Sequence, residues 1–430
     1  MIDQNLYKLA DKLFKIPRSL AGKGNRKTLK ILTTFTNGKI KTKGFKSNKV
    51  FNGWKIPKEW EVISATIKND IGEKIIDFKR NNLELVSYSD SFKGFVSLKN
   101  LKKKIFTLKK IPNAIPYITS YYSKNFWGVC MSYQKFKKLK KCDYEVNINT
   151  KKINGYLNFG EYLIKGKSKK EIVFLTYICH PQMANNELSG PTVLSGLINE
   201  INKRYKKKKT NFSYRFLFLP ETIGSIAYLN KNYKNLKKNF LAGYVVTCVG
   251  TIKNFKLIPS MDPNSVSNKI AISVLNKTYF KKWKHLSFLD RGSDERQWCY
   301  PGTNLQVSSI VTSKYNDYKE YHTSLDNMKF INDLALKRSK NIYFEIFKTL
   351  ENSEFYITRS IGEPKLDRYG IYPKISTTKS RFIVKNYMNV LTYCDGTNNL
   401  DQISKICKID KYKTKLIIAF LVKTKSIEKI

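Results

Sequence analysis

The sequence predicts an α/β protein: a mostly parallel sheet flanked by helices, with a small β-rich domain inserted and a winged-helix-like domain at the end. Three observations predict it. Strongly apolar runs alternate with amphipathic segments between about residues 155 and 350, a stretch of short β-like runs with three tryptophans precedes them, and three helix-like segments close the chain. At 430 residues the chain exceeds what one hydrophobic core usually fills, so several domains are expected.

Residues 1–45 open with a helical pattern (Leu6, Leu9, Ala10, Leu13, Phe14), followed by IPRSLAGKGNRKTLKIL, where Gly22 and Gly24 precede a second helical segment. From 46 to 150 the character changes to short β-like runs with Trp54, Trp60 and Trp127, broken by Pro57, Pro112 and Pro116; this stretch reads as the inserted domain. Residues 1–45 and 151–350 then form one α/β domain around it. EIVFLTYICH (171–180), YRFLFLP (214–220) and AGYVVTCVG (242–250) read as strands; PTVLSGLINEINKRY (191–205) and GSIAYLNKNY (224–233) read as helices. Strands apolar on both faces and separated by helices belong to a parallel sheet covered on both sides. Such sheets bind ligands beyond the carboxyl ends of their strands, so the residues after each run are the place to search. Residues 365–430 carry three helix-like segments split at Asp395-Gly396 and Ile409-Asp410, which suits a helix-turn-helix or winged-helix unit.

Composition narrows the classes. No apolar run reaches the roughly 18 residues a membrane span needs, and charges break the first twenty residues where a signal peptide needs an apolar stretch; a cytoplasmic protein without a membrane partner is expected. The seven cysteines, several in apolar runs and none in a CxxC pair, read as buried free thiols. The formal charge of +47 raises nucleic acid as a partner. Nearly all of it is Lys rather than Arg, the better reader of phosphate and guanine, so a solvated lysine surface accounts for it.

The chain has only three histidines. His180 closes the first strand, and the loop after it supplies Asn185, Asn186 and Glu187 before Gly190 opens a helix. Glu221 follows the second strand in LPETIGS, at the same rim. His322 lies in YHTSLDN, after the loop FLDRGSDERQWCYPG, which carries Asp294 and Glu295; Glu320 is a further acidic neighbour. His and carboxylate gathered from distant loops make either a metal site or an acid–base pair, and spacing alone does not decide between them. His285, in KKWKHLSF, reads as a surface residue.

These segments also carry a resemblance. CHPQMANNELSG, PETIGSIAYL, GSDERQWCYPG and EYHTSLDN together resemble the bacterial aminopeptidase-like proteins of unassigned function, which have a small inserted domain and a winged-helix tail. LFKIPRSLAGKGNRKTL, NGWKIPKEW, PYITSYYSKNFWG and KLDRYGIYP extend the likeness over nearly the whole chain. That group resembles a divergent branch of the zinc aminopeptidase and carboxypeptidase clan, which implies a peptide or amide substrate.

Carried over residue by residue, the resemblance implies metal ligands at His180 and His322 and a general base at Glu221. It also implies losses: the clan's second glutamate falls on Thr222, its bridging aspartate on Asn186, and the aspartate closing the next strand on Thr247. Amides and hydroxyls hold divalent zinc poorly, so a single zinc on His180, Glu187 and His322 is expected, with Asn185, Asp294, Glu295 and Glu320 around it. A pocket that binds without catalysis is the alternative, and association with polysaccharide biosynthesis suggests an amide-bearing sugar as ligand. A homo-oligomer and a tail that binds nucleic acid complete the expectations.

Overall fold

The computed structural model describes residues 5–280, 282–371 and 378–430. Its centre is an eight-stranded sheet formed by β1 (Lys41–Lys46), β2 (Tyr156–Ile164), β3 (Glu171–Tyr177), β4 (Ser213–Leu219), β5 (Phe240–Val245), β6 (Lys256–Ile258), β7 (Lys284–His285) and β8 (Val307–Val311). The spatial order is β1-β2-β4-β3-β5-β8-β6-β7. The four central strands β4, β3, β5 and β8 run parallel, whereas β1–β2, β2–β4 and β6–β8 pair antiparallel, so the sheet is mixed towards its edges.

Every residue of β3 is buried. The reason is visible in its alternation: Ile172 and Phe174 belong to one apolar core, Val173 and Leu175 to another. The first core packs against helices α1 (Leu6–Phe14), α2 (Lys23–Phe35), α3 (Ser189–Arg204), α5 (Val266–Tyr279) and α6 (Asp333–Glu351). The second holds α4 (Ile223–Asn239) and much of the segment between β1 and β2. A strand clamped between two apolar layers cannot alternate with polar residues, which is why its run is legible in sequence.

The segment between β1 and β2 builds its own antiparallel sheet, in the order 74–77, 59–68, 143–153, 92–97. It leaves one edge strand of the main sheet and returns into that strand's partner. Its loop at 115–117 then joins the main body through the backbone: Tyr117 N donates to His322 O at 2.9 Å, and Ser324 N to Ile115 O at 2.9 Å.

At the end of the chain, Phe355–Thr358 pairs with Asp395–Asn399 and Ile427–Lys429. Helices α7 (Thr378–Thr392), α8 (Leu400–Cys407) and α9 (Lys411–Lys423) pack over this sheet around Val390, Ile403, Ile418 and Leu421, giving a winged helix. Asp395-Gly396, expected as a turn between helical segments, instead begins the strand Asp395–Asn399, because its backbone finds Phe355–Thr358 as partner. No cysteine is bridged; Cys142 and Cys407 are half-buried rather than buried. Among the described residues no helix is long and apolar enough to cross a membrane. His285 is exposed on an edge strand.

Candidate functional site

Beyond the carboxyl ends of β3 and β4 opens a cavity of ≈360 Å³. His180, Glu221, Thr222 and His322 line it from the main sheet's loops, and Trp54, Tyr117, Tyr121 and Tyr122 from the inserted segment. Loops distant in the chain therefore meet at one rim.

His180 is fixed from both sides. Its Nδ1 lies 2.8 Å from Glu187 Oε2, and its Nε2 lies 3.6 Å from Glu221 Oε2. Behind it, Arg18 Nε donates to the His180 carbonyl at 3.0 Å and approaches Glu187 Oε1 at 3.9 Å, with both side chains fully buried. Burial opposes charge on the imidazole; Cys179, Tyr117 and Glu187 outweigh it and raise the His180 pKa well above its ordinary value. Burial holds the Cys179 thiol up to about 11 and the Tyr117 phenol up to about 12. Glu187, 2.8 Å from Nδ1, is the closest hydrogen-bond partner among the three that favour the protonated ring at that nitrogen. His322 goes the other way: burial, then the neighbouring His180, lower it to about 3. Its neutral ring stacks on Tyr321 at 3.9 Å and lies 5.3 Å, centre to centre, from that of His180.

Glu221 is presented by a tight turn. Thr222 has φ 61° and ψ −76°, and Ile223 N donates to Glu221 O at 2.7 Å, a γ-turn that bends strand into helix. Ser293 Oγ donates to Glu221 Oε1 at 2.7 Å, leaving Oε2 towards His180. Asp294 Oδ1 accepts from Thr222 N at 2.8 Å. Arg296 Nη2 donates to Thr222 Oγ1 at 3.1 Å.

The remaining residues singled out from sequence lie in the wall rather than at the opening. Asn186 Nδ2 donates to Tyr177 OH at 3.1 Å, and Thr247 Oγ1 stands 2.6 Å from the same phenol and 2.9 Å from Asn186 O. Thr247 is not in a strand: β5 ends at Val245, short of the expected residue 250, because the chain must turn to meet Asn186. Asn185 Oδ1 accepts from Gly250 N at 2.9 Å. Glu295 is fully buried, accepting from Ser309 Oγ and from Ser293 N at 3.0 Å. Glu320 is half-buried and does not line the cavity; its carbonyl accepts from Thr323 Oγ1 at 2.8 Å.

Several residues of consequence carry no sequence signal of their own. Asp326 accepts from the amides of Asn185 at 2.6 Å and Asn186 at 2.9 Å and so holds the whole 184–188 turn. Arg18, Tyr117, Tyr177, Ser293 and Arg296 belong with it. All of them sit inside segments already quoted, but only tertiary contact reveals their partners.

The donor set limits which metal arrangement fits. A pair of ions needs bridging carboxylates, whereas Asn186, Thr222 and Thr247 are neutral and already engaged. One ion fits better. Asn186 Oδ1 and Glu187 Oε1 are buried acceptors without a hydrogen-bond donor, and His322 is neutral with a lone pair available. His180 has a carboxylate at each nitrogen, so one nitrogen can bind while the other keeps an orienting partner. Among the described residues, the three-donor group lying within 4.8 Å is Cys179, His180 and Glu187; His322 falls outside it, so an ion shared with His322 requires that ring to move inward.

Comparison with known proteins places these features. The family described as a domain of unknown function, DUF4910, matches residues 7–353, and a winged helix-turn-helix family, HTH_47, matches residues 354–429. A Clostridium acetobutylicum protein, named for polysaccharide biosynthesis and an aminopeptidase-like domain, is 40% identical over 406 residues, covering 93% of this chain and 90% of the relative. A crystal structure from the same organism, named as a peptidase, superposes with TM-score 0.79 at 36% identity, covering 99% of this chain and 96% of that one. BSAP, a zinc aminopeptidase from Bacillus subtilis, superposes with TM-score 0.59 at 13% identity, covering 81% and 94%.

Proposed function

This chain belongs to the DUF4910 family of aminopeptidase-like fold with a winged-helix tail, and on that footing we propose that its cavity hydrolyses a peptide or amide bond with Glu221 as general base. The observation that carries the reading is His180 between two carboxylates, 2.8 Å from Glu187 and 3.6 Å from Glu221 at the cavity rim. Ser293 fixes one oxygen of Glu221, so the other is aimed and free to take a proton. In the reaction, Glu221 removes a proton from water, the water oxygen bonds to the amide carbon, the C–N bond breaks, and the proton passes to the leaving amine. Tyr117, Tyr121 and Tyr122 line the approach from the inserted segment.

One zinc ion is part of the proposal, held by His180, Glu187 and His322; when bound it supplies Lewis-acid polarisation of the amide carbonyl. Residues 1–45 and 151–350 carry this chemistry in our reading, 46–150 wall the cavity, and 365–430, together with the strand Phe355–Thr358, form a separate unit. The relative's name, with its polysaccharide biosynthesis, makes an amide-bearing sugar a fitting substrate class.

A second reading, binding without catalysis, is favoured by one observation: Asn186, Tyr177 and Thr247 satisfy one another where ligands would be charged. Glu221→Gln separates the two. We expect the variant to retain the zinc content of the wild type while hydrolysis of amide substrates falls by about 10²-fold or more. Loss of zinc in this variant would make Glu221 a ligand and remove it as base. A zinc-replete wild type inert towards amides would leave the binding reading.

A further inference from the structure

We propose that the reaction cavity and a neighbouring lysine-lined cavity form one binding site for an amide-bearing substrate that also carries a phosphate. This rests on the amide-hydrolase reading and names the substrate class for that site.

The second cavity measures ≈410 Å³ and shares Tyr121 and Tyr122 with the first. Lys55, Lys58, Lys124 and Lys152 line it, with Asp90 as its carboxylate. Asp90 is already used, pairing with Lys152 at 2.6 Å. Among the described residues, Lys55, Lys58 and Lys124 have no ion pair. The reaction cavity adds Arg296, whose guanidinium donates to Ser293 O at 3.1 Å and Thr222 Oγ1 at 3.1 Å. Both acceptors are neutral, so its charge is left for a ligand.

The sign of this lining selects the substrate. A peptide's amino terminus is a cation and needs uncommitted carboxylates. Glu221 is the carboxylate that lines the reaction cavity, and the hydrolytic water claims its free oxygen; Glu187 lies behind His180, and Asp294 and Glu295 are fully buried in the wall, held by the Thr222 amide and by Ser309 and Ser293. What the walls offer instead is unpaired cations beside tyrosine faces, a combination that accepts phosphate. Lysines are abundant over a chain of +47, so the argument rests on position. These cations stand in a concavity that adjoins the reaction cavity, with Tyr121 and Tyr122 lining both.

The test is binding at physiological ionic strength, read by tryptophan fluorescence because Trp54 lines the reaction cavity. The probes are N-acetylglucosamine 1-phosphate, inorganic phosphate and N-acetylglucosamine, on the full chain. The compound bearing both groups is expected to bind more tightly than either part. Arg296→Gln and the double variant Lys55→Gln/Lys124→Gln are each expected to weaken it roughly tenfold. Lys206→Gln/Lys208→Gln, in a basic cavity that shares no residue with these two, is the control and is expected to leave it unchanged. An affinity no better than that of either part, or an equal loss in the control, overturns the proposal. The readout is binding, so failure of hydrolysis with probe binding intact would sink the hydrolase reading alone.

Discussion

At the scale of single residues, the site is a set of buried ionisable groups whose partners decide their state. Asp294 shows this most directly. Burial, and then the Glu221 carboxylate, push its pKa up from the ordinary aspartate range to about 7, while Thr222 N donates to it at 2.8 Å. A group that holds its proton more tightly when folded contributes stability in full below its unfolded pKa of about 4, and that contribution is lost as pH rises through the folded value of about 7. Over this window unfolding should become easier by up to ~1.4 kcal/mol per pH unit from this group alone. Asp294→Asn keeps an acceptor for Thr222 and removes the titration. Urea unfolding at pH 5 and pH 8 is therefore expected to show the variant gaining on the wild type at pH 8; an unchanged difference between the two pH values would mean that Asp294 is ionised in the folded protein throughout. None of this is legible from GSDERQW. A sequence names Asp294 as acidic, but its depth behind the cavity wall and its closeness to Glu221 arise only when two distant loops pack together.

At the scale of elements, two turns shape the cavity, and both constrain the chain in ways that periodicity does not reveal. The strands and helices of the main sheet are readable because their apolar runs answer to two cores; the joints between them carry no such pattern. In the first joint, Gly190 opens α3 against the end of β5. A Cβ there would stand 2.2 Å from Val246 O and 2.3 Å from Thr176 Oγ1, so only glycine lets the 184–188 turn bring Asn186 beside Thr247. In the second, Thr222 occupies a positive-φ γ-turn that β-branched residues rarely adopt. Such strain costs of order 1–3 kcal/mol and persists where the surroundings enforce it. Here they do: Asp294 holds the Thr222 amide and Arg296 its hydroxyl. Thr222→Gly should release the strain and raise stability by about 1 kcal/mol, even though Arg296 then has no hydroxyl to donate to, whereas Thr222→Val should lower it by a similar amount. Denaturant midpoints of the two variants check this; a glycine variant less stable than wild type would show that the hydrogen bond from Arg296 outweighs the strain. In sequence the position reads only as a missing carboxylate. Its role in aiming Glu221 is a property of backbone geometry, which no residue type announces.

At the scale of the whole molecule, the chain joins an aminopeptidase-like body, a segment that walls its cavity, and a winged helix. The backbone bonds between Ile115 and Ser324 and between Tyr117 and His322 make the cavity depend on the inserted segment, a dependence that composition alone, with its tryptophans and prolines, does not disclose. The tail raises the question of nucleic acid. Its last helix, KYKTKLIIAFLVK, contains no Arg, Asn or Gln, so lysine is its means of reading base edges, and it exposes Tyr412 and Leu416 beside its lysines. Lysine contacts to phosphate bind through counterion release and do not discriminate between sequences. With +47 spread over 430 residues, the body should contribute to such binding as much as the tail does. The intact chain is therefore expected to bind two unrelated duplexes within a few-fold of each other, and to lose roughly 10³-fold or more in affinity between 50 and 200 mM salt. Fluorescence anisotropy at both salt concentrations measures each quantity. A preference above about tenfold for one duplex at the higher salt, abolished by substituting Lys411 and Lys415, would overturn this and make the winged helix a sequence reader; a flat salt response would point to the exposed Tyr412–Leu416 face and a protein partner instead.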